Sequence, residues 1–534
     1  MGILSRKGGQ RGCTTGAFLT AGLALVSTLG VTPSHACTVF TADGSVTEDG
    51  RPVMAKIRDT DEGRQLLAHS AGSPYDYIGI RTEGGSVLMG LNEMGVASGN
   101  ALINPSDLPN ANSGIQTYIL RNKASIGEIY TYIQSQTEQY SAMGRGAFPF
   151  IDASGHAALF ELSASEWWIY YDTMNLNRAA QGLLGVVVRA NEFHQHVDGT
   201  DDTSITGGRY ESGSHNVLGL IQAGVLSART TAQGAGAFEY FRYGPGRPLA
   251  TLSRSTTRSA IVAHGVAPGE DPALATLWVI LGQTNFGIAV PTWVAVATIP
   301  ACLANGDMYD RARSLYLKGN EATIQASTLP AEARLFDAVD NVLLPHWRTH
   351  GTPTVAVMTR VEHRMASDVY SLMNCLDNLR NNNKAPDASF EHENRGLTVD
   401  FTSLAQDADG SIQAHLWDFG DGDTSSIASP SHWYNASGAY LVSCTATDNE
   451  GVSTTDWRYL EVSVIRPDLD ADGDVDLADF NVFSACFNGP NRTPVYPGTC
   501  DIADLDGDND VDLTDFGMFA ACFNGPNRPP ACAP

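Results

Sequence analysis

Basic residues are scarce in this chain: 33 Lys and Arg stand against 59 Asp and Glu over 534 residues, a formal net charge of −26. Nucleic acid and anionic membrane surfaces both need a basic patch, so neither is expected as a partner. Long apolar runs are lacking as well. After residue 36 no stretch reaches the roughly 18 apolar residues that a transmembrane segment requires. The Gly-x-Ser-x-Gly elbow of a serine hydrolase is absent, which removes the reading that Ser204 and His215 would otherwise invite. His194 and His196 have the spacing of metal ligands on a strand, but no Cys or carboxylate cluster joins them.

What is present begins with a secretory pattern. Arg6, Lys7 and Arg11 are followed by an apolar run from Ala17 to Val31, then by the small residues of Ser34-His35-Ala36 at a cleavage site. Cleavage there removes three cations and no acid, which takes the charge from −26 to −29 and leaves Cys37 first. A lipid-anchored Cys37 is the competing reading, although Ser34 stands where a lipobox wants Leu.

At about 150 residues per domain the length suggests three or four units. Residues 37–380 alternate strand-like runs (Ala36–Phe40, Val53–Ile57, Ser86–Met89, Ala157–Glu161, Glu166–Tyr171, Leu183–Arg189) with helix-like runs near 124–137 and 214–223, and read as more helical from 307 onward. Residues 381–386 form a polar, Pro-ended linker. Residues 387–465 carry short alternating strands with turn signals, the pattern of a small β-sandwich. There Trp417-Asp418-Phe419-Gly420-Asp421-Gly422 is followed by Pro430, His432, Tyr434, Gly438-Ala-Tyr440 and Asp448-Asn449-Glu-Gly451. This block resembles a PKD domain, which implies a spacer or carbohydrate-associated module without a catalytic set. Trp417, Phe419 and Tyr440 are its expected core.

Residues 468–534 hold a repeat. Asp468, Asp470, Asp472, Gly473, Asp474, Asp476 and Asp479 recur as Asp504, Asp506, Asp508, Asn509, Asp510, Asp512 and Asp515, and each copy runs into an apolar helix. Thirteen Asp and one Arg between 468 and 515 mark local cation binding. The spacing follows EF-hand logic, with oxygen ligands at positions 1, 3, 5, 9 and 12, the backbone carbonyl of position 7, and a sharp turn at position 6. Asp at position 12 resembles dockerin repeats, which implies calcium here and a possible cohesin-like or cell-surface partner. Cys486 and Cys500, and Cys522 and Cys532, occupy matching places and are expected to pair locally. Cys302 and Cys375 could pair across the first domain, while Cys444 lies in a predicted strand as a buried thiol.

The chemistry centres on Cys37. A free thiol is mostly protonated at neutral pH, but an N-terminal α-amine, with a pKa of about 7.7–8.0, can serve as base within the same residue. Cys37 to Asp59, including Met54-Ala-Lys56-Ile-Arg58-Asp59, resembles the choloylglycine hydrolase and penicillin acylase-type linear-amide hydrolases. Leu91-Asn92-Glu93-Met94-Gly95 up to Asn100 resembles their strand leading to an active-site Asn. Asp152-Ala-Ser-Gly155 resembles a hairpin of the acyltransferase-like branch. Val188-Arg189-Ala190-Asn191 resembles the segment with an oxyanion-hole Asn, and Gly207-Gly208-Arg209-Tyr210 the segment with a second active-site Arg.

The resemblance implies an α+β catalytic domain, a four-layer αββα sandwich, ahead of the Ig-like β-sandwich and a small α-helical calcium module. It also implies roles: Cys37 as nucleophile, Asp59 binding the α-amine, Asn191 in the oxyanion hole, Asn100 (or Asn104) as a second donor, and Arg209 ordering Asp59. Beside the nucleophile either Lys56 or Arg58 takes the basic place, with Arg58 the reading adopted. Ile57 stands where bile-salt hydrolases carry Asn, so bile-salt specificity is not supported. The implied activity is hydrolysis of a linear amide through a thioester, without a catalytic cofactor. A dipeptidase, an acyltransferase or a non-catalytic cell-surface protein are the alternatives.

Overall fold

The structure, a computed structural model, describes residues 37–60, 63–72, 74–102, 114–136, 146–162, 167–171, 186–189, 226, 256–378, 383–395, 397–462, 467–492, 500, 502–505, 510–528 and 531. Residues 1–36, and with them the expected signal segment, lie outside it.

The first domain is built on two antiparallel sheets. One has six strands in the order β11 (Val186–Arg189), β1 (Thr38–Ala42), β2 (Val53–Asp59), β12 (Thr257–His264), β13 (Thr276–Leu281) and β14 (Val290–Thr292). The other runs β10 (Trp167–Tyr171), β9 (Ala157–Leu162), β8 (Gly146–Ile151), β6 (Ala97–Ser98), β5 (Val87–Asn92), β4 (Tyr77–Thr82) and β3 (Gln65–Ser70), and β7 (Ala101–Leu102) pairs with β8. Every residue of β1 and β2 is buried, because both faces of this sheet are covered. Along β1 the side chains alternate. Val39 packs with Ala147 and Leu159 of the facing sheet, and the Thr41 hydroxyl donates to the Phe150 carbonyl at 3.1 Å. Phe40 and Ala42 point the other way.

Helices cover both outer faces. α1 (Gly114–Asn122) and α2 (Ile126–Ser135) bury Ile119, Ile129 and Ile133 on Phe148, Phe150 and Phe160 of the second sheet. On the first sheet lie α3 (Ala301–Ala304), α4 (Asp307–Lys318), α5 (Glu321–Ala338), α6 (Leu344–His350) and α7 (Val355–Asp377). Trp278 of β13 stacks on Phe336 of α5, and Trp293 meets Trp347 of α6 edge-on. The layering is the expected helix–sheet–sheet–helix order.

Neither Cys302 nor Cys375 is disulfide-bonded, so the cross-domain bridge does not form. The Cys302 thiol points at the Ala366 carbonyl, 3.9 Å away. Nine helical residues, about 13.5 Å of rise, separate Ala366 from Cys375, well beyond bridging distance.

The second domain pairs a three-stranded sheet, β15 (Phe390–Arg395), β16 (Thr398–Ser403) and β19 (Ser431–Trp433), with a four-stranded one, β18 (Thr424–Ser425), β17 (Ile412–Asp418), β20 (Gly438–Asp448) and β21 (Ser453–Val462). Trp417 and Phe419 fill its core as expected. Tyr434 is fully buried there as well, while Tyr440 is partly buried, packs against the core and donates its hydroxyl to the Ala436 carbonyl. Cys444 is a buried free thiol whose pKa burial pushes up to about 12. The described part of the expected linker is tied down. Asn383 is buried and donates to Asp448 at 2.8 Å.

In the third block, α8 (Leu477–Cys486) and α9 (Leu513–Cys522) each start at a capping box, Asp476 with Asp479 and Asp512 with Asp515. Cys486 is bonded to Cys500, and Cys522 is disulfide-bonded, with Cys532 outside the described residues. The tail of each repeat folds back on the other's loop: the Asn491 amide donates to Asp510, and the Asn527 amide to Asp474.

Candidate active site

Cys37 stands at the head of β1. Thr38 pairs with Ile57, which sets Cys37 beside the Arg58–Asp59 end of β2, and its thiol points at the Asp59 carbonyl from 3.9 Å. The residue is only 7% exposed and packs with Val39, Ala101, Ala147 and Leu159 in the space between the sheets.

Buried polar residues lie along this end of β2 and beside it. Asp59, 2% exposed, accepts a hydrogen bond from the Thr257 hydroxyl at 2.6 Å. Thr257 faces it across β12, where the register slips between Thr257 and Ser259. Lys56 is fully buried. It pairs with Val39 in register, so its side chain takes the inter-sheet face, and its ammonium donates to the Asn100 side-chain oxygen. Asn100 itself is 2% exposed and lies between β6 and β7. Arg58 is buried at the same end of β2.

The structure therefore brings together Cys37, Arg58, Asp59 and Asn100 of the expected set, and it is Lys56 rather than Arg58 that contacts Asn100. Both cations share one face of the strand because they are two residues apart, and register decides which one reaches Asn100. Thr257 has no signal in the sequence: a lone Thr 198 positions from Asp59 is marked by no local pattern. Asn191, Arg209 and the alternative Asn104 lie outside the described residues. Arg189, two positions before Asn191, pairs with Val39 in the β1–β11 ladder.

Two of the sequence patches have structural work to do. Asn92 is fully buried, donates to the Leu120 and Lys123 carbonyls at 2.9 and 2.8 Å, and accepts from the Met94 and Val96 amides. It ties the β5–β6 turn to the end of α1. Replacing it with alanine strands several buried backbone groups, each worth about 1–3 kcal/mol. Asn92→Ala is therefore expected to lower the melting temperature by well over about 5 °C, read by circular dichroism. Asp152 plays a similar part, accepting from the Ile126 amide at the start of α2, while Gly155 takes φ +83° to close the β8–β9 hairpin.

In the third block, carboxylate oxygens of Asp468, Asp470, Asp472 and Asp479 lie within 4.8 Å of one another, as do those of Asp474, Asp476 and Asp479, and of Asp510, Asp512 and Asp515. Gly473 has φ +95°, the turn expected at position 6. The Asp474 carboxylate accepts the Asn527 amide of the other repeat. Asp504 lies at the head of the second loop, and Asp506 and Asp508 lie outside the described residues. Burial, together with Asp479 and Asp472, pushes the pKa of Asp468 up to about 6.

The family model of the PKD domain matches residues 383–463. This segment is a PKD domain. Over 87 residues the chain is 40% identical to the pre-pro-metalloprotease PrtV of Vibrio cholerae, a match covering 16% of this chain and 10% of that protein. The chain thus spans about a tenth of that relative's length. Similar solved structures include penicillin V acylase from Agrobacterium tumefaciens, at 15% identity and TM-score 0.28, covering 48% of this chain and 86% of that one. They also include a mutant of conjugated bile acid hydrolase from Clostridium perfringens, at 10% identity and TM-score 0.31, covering 48% and 92%. Among the described residues no helix is long and apolar enough to cross a membrane.

Proposed function

We propose that this chain is a secreted hydrolase of a linear, non-peptide amide bond, with Cys37 made N-terminal by cleavage after Ala36. The observation that carries the reading is the set of buried polar side chains at Cys37. Lys56 and Arg58, on the face of β2 that Val39 shares, are buried with Asn100 beside the apolar inter-sheet residues, and Asp59 is buried at the same end of the strand. Burying such groups costs several kcal/mol unless they are paired, and a concentration of them at a thiol is a mark of function.

In the reaction the Cys37 thiol proton passes to its own α-amine as sulfur bonds the amide carbon and the carbonyl π pair moves to oxygen. Asn191, with Asn100 as a second donor, holds that oxyanion. Its collapse breaks the C–N bond, and the departing amine takes the proton from the α-ammonium. Water then releases the acid from the thioester by the same steps. Asp59 orients the amine and favours its charged form, and Arg209 supports Asp59. The parts given to Asn191 and Arg209 rest on the sequence resemblance. No cofactor is required.

The test is intact-protein mass spectrometry of the exported chain incubated with N-acyl amides of varied chain length. A mass starting at Cys37, together with acylation lost in Cys37→Ser, supports the reading. A lipidated or differently cut terminus, or no acylation of Cys37 by any acyl donor, rejects it in favour of a non-catalytic surface protein. Partition of the thioester to an added amine rather than to water would make the chain an acyltransferase.

For the third block we propose calcium, because the clustered donors are hard carboxylate oxygens closed by a left-handed turn, and docking of a cohesin-like or cell-surface partner. The sign of the pH effect follows from Asp468. Its folded pKa of about 6 exceeds the unfolded value of about 3.9, so the ion-free module is most stable below about pH 4 and weakens as pH rises to about 6. Calcium is expected to reverse this. At about pH 7 excess EGTA should lower the melting temperature of the repeats, and at about pH 4 it should have little effect.

A further inference from the structure

We propose that Lys56 is a positioning residue that fixes the amide of Asn100 so that its N–H groups face the acyl carbonyl at Cys37. The inference rests on the hydrolase reading above and adds to it a reason for a buried lysine that the reaction scheme leaves idle. Lysine carries three donors and no acceptor. An asparagine amide beside it must therefore present Oδ1, and the ammonium does donate to the Asn100 Oδ1. The usual ambiguity of amide orientation disappears. The NH2 end is turned to the opposite side, and this is the only side-chain hydrogen bond Asn100 makes among the described residues.

Placement supports the same end. Asn100 directly precedes Ala101, which packs against Cys37. Asn100 is 2% exposed and Lys56 is fully buried, so the contact between them is shielded from bulk water. A cation on the oxygen draws electron density from the amide nitrogen, which makes its N–H groups stronger donors to an oxyanion. The lysine stem reaches its partner past a residue without a side chain: a Cβ on Gly99 would lie 3.3 Å from the Lys56 Cδ.

Two reactions of the same thiol separate this role from others. In acylation by a p-nitrophenyl ester, sulfur bonds the carbonyl carbon, the π pair moves to oxygen, and it returns as p-nitrophenolate leaves; the oxyanion needs Asn100. In alkylation by iodoacetamide, sulfur displaces iodide at a saturated carbon and no oxyanion forms. Lys56→Met is expected to slow the Cys37-dependent p-nitrophenol burst by about 100- to 1,000-fold, the loss typical of one oxyanion donor, while iodoacetamide labelling changes less than about threefold. Lys56→Arg should recover most of the burst. Asn100→Asp keeps Lys56 and the packing but has no N–H to offer, so it should match Lys56→Met and answer the question if that variant folds poorly. Equal loss of both reactions in a folded Lys56→Met protein would mean that the lysine acts on the thiol, and an unchanged burst would mean that it does nothing here; either overturns the inference. A wild type that shows no Cys37-dependent burst overturns the hydrolase reading and this inference with it.

Discussion

Replacing Cys37 by alanine is expected to abolish turnover of N-acyl amides, and keeping Ala36 attached is expected to slow it by about 100- to 10,000-fold. The first change removes the proposed nucleophile, and losses on the order of a millionfold accompany such removal in enzymes whose groups act as a unit. The second change leaves the thiol in place. It converts the α-amine into a peptide nitrogen that cannot accept a proton, so the general-base contribution of about 100- to 10,000-fold is lost. Neither change should move the melting temperature far, because Cys37 contributes a single sulfur to a small cluster with Val39, Ala101, Ala147 and Leu159. Iodoacetamide labelling confirms that the thiol of the extended protein is intact. Full turnover by that protein would show that another group is the base and would reject the processed-terminus mechanism.

The strands that build the site are legible in the sequence because their residues are branched or aromatic and their ends are marked by Gly, Asp or Pro. The run Val53–Ile57 falls within two residues of β2, and Ala157–Glu161 within one of β9. The helix expected near 124–137 is α2, Ile126–Ser135, and the one near 214–223 lies outside the described residues. The pairing of these elements is not legible. Lys56 meets Asn100 through a register set by β1, and Thr257 reaches Asp59 at a slip in the β2–β12 ladder. Long-range register is fixed by the whole buried sheet rather than by any local pattern. Tyr434 and Tyr440 illustrate the same limit: only the folded sheet shows that Tyr434 is fully inside and Tyr440 partly buried against it.

The block most clearly misjudged by a beads-on-a-string reading is the PKD domain, and the consequence is testable. Strand β21 buries apolar side chains on both faces. Leu460 and Val462 enter the domain's own core, while Trp457 joins the core cluster that contains Trp347, Leu335 and Met365 of the first domain's helices. Leu441 and Val452 join it too. Around this seam the Trp347 indole donates to the Tyr459 hydroxyl, His346 stacks on the Tyr459 ring, the Ser453 amide donates to Ser371 at 3.3 Å, and Arg360 lies 3.4 Å from Asp418. A spacer would leave such a face polar. Truncating a buried tryptophan costs about 3–5 kcal/mol, a large share of the roughly 5–15 kcal/mol that holds a typical domain folded. Trp457→Ala is therefore expected to lower the melting of the first and PKD domains together, in one calorimetric transition. A chain cut after residue 380 should aggregate or melt far below the full protein, because α5 to α7 would expose Trp347 and Met365 to water. Two independent transitions, with only the PKD one shifted by Trp457→Ala, would restore the spacer reading and leave the seam without energetic weight.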